Sequence, residues 1–184
     1  AEDGIRDRDV TGVQTCALPI SCDVGQGDAT VIKVDRHQAI VVDVGGDPVL
    51  IDKCLSDLKV RKIPLLLLTH FHADHVVGLP GALEGRVIGQ IRISPLANPP
   101  LTTKFVEDVL QENRFKAQIL AYPEYLKVGD VELFCIWPKR DPNVNSNTPN
   151  NASVSLLVKT KELTLLLPGD IEPIAQDAIL KLAG

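Results

Sequence analysis

The sequence predicts an α/β domain in which two sheets pack face to face with helices outside. Three observations carry this. Short runs rich in Val, Ile and Leu recur at 29–34, 39–42, 65–68, 87–93, 131–137, 153–159 and 163–167, set apart by Gly, Pro, Asp and Asn. Segments with apolar residues at helical spacing stand between or after them, at 49–58, 102–112 and 174–182. The 184 residues, 45% hydrophobic and 23% charged, suffice for one well-cored domain and are too apolar for a disordered chain.

Residues 1–19 read differently from the rest. They alternate charge without an apolar face and then lose any period, and Val10 through Ile20 resembles a translated sequencing adapter. The expectation is a non-native or disordered leader over 1–19 and a folded domain over 20–184. From Ile20 the elements follow in order. A strand at 20–22 leads into the turn Asp23-Val24-Gly25-Gln26-Gly27-Asp28, and a hairpin of 29–34 with 39–42 follows. Asp43-Val44-Gly45-Gly46-Asp47 breaks the chain before a helix whose apolar residues are 51, 54, 55 and 58. Pro64 precedes the strand 65–68, helical turns interrupted by Pro80-Gly81 follow it, and 87–93 is a further strand. The helix 102–112 takes Thr102 or Thr103 as its cap and buries Phe105, Val106, Val109 and Leu110. Strands at 117–120, 131–137 and 153–159 frame a polar loop at 141–151, and 163–167 ends in Pro168-Gly169-Asp170 before the last helix.

The net charge of −5, from 24 acidic and 19 basic residues, excludes a chain-wide basic nucleic-acid footprint. No apolar run approaches the ~20 residues of a membrane span. Cys16, Cys22, Cys54 and Cys135 have no CxxC spacing and read as buried apolar residues, Cys22 within the first strand. The glycine turn at 23–28 has no lysine and no long helix behind it, so it is no nucleotide-phosphate loop and no nucleotide cofactor is expected.

Chemistry concentrates in Thr69-His70-Phe71-His72-Ala73-Asp74-His75, which holds three of the four histidines after the most hydrophobic strand. His70 and His72 can face one ion, and Asp74 and His75 a neighbouring one. Imidazole suits zinc, iron or nickel, and added carboxylate admits manganese. Asp170, at the end of a second leucine-rich strand, reads as a ligand shared between two ions or as the cap of the following helix. Asp23, Asp28 and Asp43 read as carboxylates that orient a ligand histidine or as plain turn residues. Asn150, Asn151 and Ser153 offer amide and hydroxyl groups to a metal-held water or a substrate oxygen, or form a polar turn.

His70-x-His72-x-Asp74-His75 resembles the signature of the metallo-beta-lactamase superfamily. With it, Asp23-Val24-Gly25-Gln26-Gly27-Asp28, Asn150-Asn151-Ala152-Ser153 and Gly169-Asp170-Ile171-Glu172 resemble the C-terminal domain family of ComEC, the bacterial DNA-uptake competence channel. The resemblance runs from Ile20 to Leu182. It implies a four-layer αββα sandwich of the metallo-beta-lactamase type, with two divalent metal ions, zinc or manganese, held by His70, His72, Asp74, His75 and Asp170. The Asn150-Asn151 segment stands where many superfamily hydrolases carry a further histidine. A later His-His-Gly-Ser motif of the family is absent, so the domain is expected to be truncated at its C-terminal end.

The function expected is a metal-dependent nuclease in which an activated water attacks phosphorus and Asp74 or Asp170 orients that water. By resemblance the partners are incoming single-stranded DNA and the transmembrane channel of the same parent, an inner-membrane protein whose present domain is soluble and extracytoplasmic. A small-molecule hydrolase acting on lactams, thioesters or phosphodiesters and a non-catalytic DNA-binding module are the alternatives.

Overall fold

The computed structural model describes residues 19–141, 143 and 145–183. Of the expected leader, only Pro19 falls among them. It pairs with Ile32 at the start of β1 (Pro19–Ser21), one residue before the expected domain start; Cys16 lies outside the described residues.

β1, β2 (Thr30–Lys33) and β3 (Ala39–Val42) run antiparallel to one another. Helix α1 (Pro48–Asp57) then carries the chain to β4 (Lys62–Leu68), which lies parallel to β3. Two short helices, α2 (Ala73–Val76) and α3 (Leu79–Leu83), precede β5 (Val87–Ile93), and α4 (Pro100–Glu112) precedes β6 (Ala117–Ile119). The six strands form one mixed sheet in sequence order. The second sheet is antiparallel, in the order β10-β9-β8-β7, from β7 (Tyr125–Val128), β8 (Val131–Trp137), β9 (Ser155–Lys159) and β10 (Thr164–Leu167). A 3-10 turn at Asn150–Ala152 precedes β9, and α5 (Pro173–Ala183) follows β10 and packs on that turn.

Alternation along the strands builds two cores. In β4, Leu66 and Leu68 face the apolar sides of the helices, against Ile51, Leu55, Leu79, Val106 and Val109. Leu65 and Leu67 face the second sheet, against Leu133, Cys135, Leu156 and Val158. A parallel strand covered on both faces reads as an unbroken hydrophobic run, which is why 65–68 shows no alternation. Two elements covering the same strand from opposite sides give the α/β sandwich that the sequence predicts.

Several local expectations are corrected. The first strand ends at Ser21, and Cys22 is bonded to Cys54 of α1 in a disulfide instead of being a plain core residue. Packing of α1 on the segment after β1 brings the pair together across 32 residues. Cys135 alone is a free, buried cysteine among the described residues. Helix α4 begins at Pro100, where a missing N–H costs nothing, so Thr102 and Thr103 lie inside it and Phe105 is only partly buried. Residues 125–128 form a strand, β7, where the sequence predicts no element. Residues 153 and 154 precede β9, because the 3-10 turn delays the strand.

Candidate metal centre

Asp43, Thr69, His70 and His75 are brought together because β3 and β4 are neighbours whose C-terminal ends open into loops on one edge. Asp43 leaves β3 with φ +58, a left-handed conformation that side-chain-bearing residues seldom adopt. Its buried carboxylate receives three donors. Oδ1 accepts from the Thr69 amide at 2.7 Å. Oδ2 accepts from Thr69 Oγ1 at 2.6 Å and lies 3.0 Å from His75 Nδ1.

This network fixes the orientation of both imidazoles and the tautomer of His70. The single Thr69 hydroxyl proton goes to Asp43, so toward His70 Nδ1, 3.1 Å away, its oxygen acts as acceptor. His70 therefore carries its proton on Nδ1, and its buried Nε2 is a bare lone pair without a partner. His75 likewise gives its Nδ1 proton to Asp43 and turns Nε2 to Asp170 Oδ2, 3.4 Å away. A carboxylate behind a histidine in this way fixes the ring and raises its strength as a ligand.

Electrostatics separate the two rings. Burial foremost, then the neighbouring His75 and His72, pushes the His70 pKa down to about 3, so the ring is neutral at pH 7. At His75 burial acts downward, but the Asp43 hydrogen bond and the charges of Asp43, Asp170 and Asp74 outweigh it and raise the pKa to about 9. Burial pushes the Asp43 carboxyl up from its usual range against the pull of His75 and Thr69.

Ligand atoms of His70, His75 and Asp170 all lie within 4.8 Å of one another. A separation of 3.4 Å between His75 Nε2 and Asp170 Oδ2 suits two ligands each about 2 Å from one ion. The orphaned Nε2 of His70, two nitrogens, a carboxylate and surplus negative charge all fit a divalent cation.

His72, Asp74, Asp23 and Asp28 lie outside this group of ligand atoms. His72 is the extended residue before α2, partly buried, with its ring edge-on to His70 at 4.7 Å between centroids. Asp74, in the first turn of α2, adds charge near His75 and lines an open cleft of about 560 Å³ with Gln26, Gly46 and Asp47. The glycine turn closes onto it: Gly27 has φ +99, and a Cβ there would stand 1.7 Å from the Asp74 carbonyl oxygen. Asp23 and Asp28 are exposed and meet none of the histidines. The Asp23 carboxylate lies 3.5 Å from the Gly25 amide, and Asp28 contributes its backbone carbonyl to the Gly45 amide.

Ser153 Oγ accepts from the Asp170 amide at 3.2 Å, and the Val154 amide bonds the Thr69 carbonyl at 2.9 Å. Ser153 and Val154, directly after the 3-10 turn, are thereby tied to the loops that carry Asp170 and His70. Thr69 and Glu172 stand within the His70 and Asp170 motifs, yet the sequence alone assigns neither a role. Their signal was position alone, directly before His70 and two residues after Asp170.

An α/β sandwich in which histidines after β4 of one sheet converge with an aspartate after β10 of the other, backed by a buried carboxylate, defines a metal-binding protein of the metallohydrolase class. The chain belongs to the metallo-beta-lactamase superfamily, whose family model matches residues 22–182. It is 34% identical over 98 residues to ribonuclease Z of Methanococcus maripaludis strain S2, a match covering 47% of this chain and 31% of that protein. It is 38% identical over 74 residues to ribonuclease Z of Oceanobacillus iheyensis, covering 39% of this chain and 23% of the other. The matches thus span about a third or less of these relatives. Among solved structures, the metallo-beta-lactamase fold protein YhfI of Bacillus subtilis aligns with a TM-score of 0.55 at 13% identity, covering 82% of this chain and 60% of that one. Zn(2+)-bound PqqB of Methylobacterium extorquens aligns with a TM-score of 0.50 at 18% identity, covering 76% and 51%. At these identities the structures share the fold.

Proposed function

We propose that this domain is a metal-dependent phosphodiesterase of the nuclease type, acting on incoming single-stranded DNA as the extracytoplasmic domain of a ComEC-like competence protein. The observation that carries the hydrolytic reading is the convergence of His70 Nε2, His75 Nε2 and Asp170 on one point, with Asp43 and Thr69 fixing both rings. A divalent ion there supplies Lewis acidity toward a phosphoryl oxygen and lowers the pKa of a water. The chain's own residues do the rest. His70 presents a lone pair of fixed orientation, His75 presents one once a cation displaces its Nε2 proton, and Asp170 and Asp74 offer carboxylates that can hold and orient a proton-bearing nucleophile. We propose that His72 and Asp74, which lie outside the group of His70, His75 and Asp170, complete with those three a site for two ions, zinc or manganese.

The similarity to ribonuclease Z sequences supports a nucleic-acid phosphodiester over a lactam or thioester. The Cys22–Cys54 disulfide supports DNA outside the cytoplasm over a cytoplasmic RNA, because such bonds persist in oxidising compartments. None of the described helices is long and apolar enough to cross a membrane, so this reading leaves the channel to another part of the parent. A chain of net charge −5 gains little from diffuse attraction to phosphate, which leaves the metal centre to provide it.

The test is to load the chain with zinc or manganese and offer a labelled single-stranded DNA, an unstructured RNA, a tRNA precursor and a chromogenic lactam. DNA cleavage that disappears with His70→Ala and Asp170→Ala is expected. Cleavage of the tRNA precursor alone, or of the lactam alone, would overturn the DNA assignment, and metal-loaded protein that binds DNA without cutting would make it a binding module.

A further inference from the structure

Glu172 reaches both asparagines of the 3-10 turn. Its Oε2 accepts from Asn151 Nδ2 at 2.7 Å, and its own amide donates to Asn151 Oδ1 at 3.1 Å. Trp137 Nε1 takes the Asn151 carbonyl at 2.7 Å. Asn151 is buried, and both ends of its side-chain amide are engaged. Asn150 differs. Its Nδ2 lies 3.4 Å from Glu172 Oε1, while its Oδ1 is buried without a partner.

A carboxylate accepts and cannot donate, so it decides which end of a neighbouring amide faces it. Glu172 therefore draws the Asn150 NH₂ toward itself and turns the oxygen away. Buried acceptors are ordinarily satisfied. His70 Nε2, in the loop after β4, is likewise a buried acceptor without a partner. Both are Lewis bases, and both belong to segments joined by the Val154–Thr69 and Asp170–Ser153 hydrogen bonds. A cation, or the water a cation holds, satisfies an acceptor of either kind.

We infer that Glu172 is a positioning residue: it fixes the Asn150 amide with its oxygen presented to the metal centre and ties the Asp170 loop to that turn. Asn151 is the anchor of this clamp, and Asn150 is its working end. The inference rests on the metal reading of the centre and is independent of which substrate is cut.

Glu172→Gln tests it almost isosterically. The new side chain still accepts from Asn151 through its oxygen, but offers NH₂ to Asn150, whose amide then turns over and loses its free oxygen. In the whole chain, zinc and manganese affinities measured by chelator competition are expected to weaken about tenfold. In the metal-free protein, the Asn150 side-chain NH₂ resonances are expected to shift. Adding Asn150→Asp to Glu172→Gln restores an acceptor facing the new amide, frees the second oxygen and is expected to recover the affinity. If Glu172→Gln does not fold, Asn150→Ala, which removes only the working end, must show the same loss. Wild-type affinity in Glu172→Gln, or in Asn150→Ala, overturns the inference, as does a double variant no tighter than the single one. Asp170→Ala is the control: unchanged affinity there sinks the metal reading itself, whereas a loss there beside an unaffected Glu172→Gln sinks only the role of Glu172.

Discussion

Asp43 and His75 meet through one 3.0 Å hydrogen bond between side chains only 4% and 2% exposed, across 32 residues of sequence. By holding the ring as an imidazolium, whose second proton sits on Nε2 toward Asp170, that pairing makes the metal-free protein sensitive to pH. His75 is held up to about 9, above the ~6.5 of an unfolded histidine. Its contribution to stability is then complete below about pH 6.5 and is lost as pH rises through 9, on the order of 3 kcal/mol at most. Urea midpoints of chelator-treated protein are expected to fall between pH 6 and 9.5, and Asp43→Asn is expected to flatten that dependence. Equal wild-type midpoints at both ends would remove the basis for this pairing.

Thr69 acts on His70 through its hydroxyl alone. Thr69→Val preserves shape and deletes the acceptor for His70 Nδ1 and a donor to Asp43. Zinc affinity is expected to drop by about tenfold. Nitrogen NMR of the imidazoles should show His70 changing from one tautomer to a mixture. Retention of the Nδ1–H form in the variant would refute the network.

Gly27 is a packing requirement as much as a turn residue. At φ +99, and with a Cβ placed 1.7 Å from the Asp74 carbonyl, Gly27→Ala must displace the glycine turn or α2. A loss of roughly 1–3 kcal/mol is expected, with weaker metal binding, because overpacking moves backbone as well as side chains. Thermal melts and zinc titration check both, and an unchanged melt would show that the contact yields freely.

The cysteines give a chemical signature. Reducing Cys22–Cys54, or replacing both by Ser, opens a loop of 32 residues and is expected to cost about 3–4 kcal/mol. Cys135, its thiol pushed up to about 12 by burial, should resist alkylation at pH 8.5 in the folded protein and react once urea unfolds it. Fast labelling of native Cys135 would contradict its place between the sheets.

What could be read in the sequence was what chemistry writes locally. The run at 65–68 announced a strand covered on both faces, and the histidine frame after it announced a metal centre. Asp170 was legible because a leucine-rich strand and a Pro-Gly pair lead into it. What escaped were relationships across sequence distance. The bond between Cys22 and Cys54 depends on where α1 docks, and no spacing encodes that. Asp43 stood equal with Asp23 and Asp28 as a turn carboxylate until β3 and β4 were seen side by side. Strand β7 escaped for a local reason: its outward residues are Tyr125 and Lys127, so its apolar pattern is too short to stand out from a turn.

Strand β4 has a consequence for how the molecule breathes. Leu65 and Leu67 are rooted in one core, Leu66 and Leu68 in the other, and all four are fully buried. Its amides are therefore expected to exchange with solvent only when the whole domain opens, since neither core can loosen alone without the strand they share. His70 hangs two residues beyond that slowest segment, so its place is kept through the local fluctuations that loops undergo, and a metal ion meets a nitrogen already waiting at a fixed address.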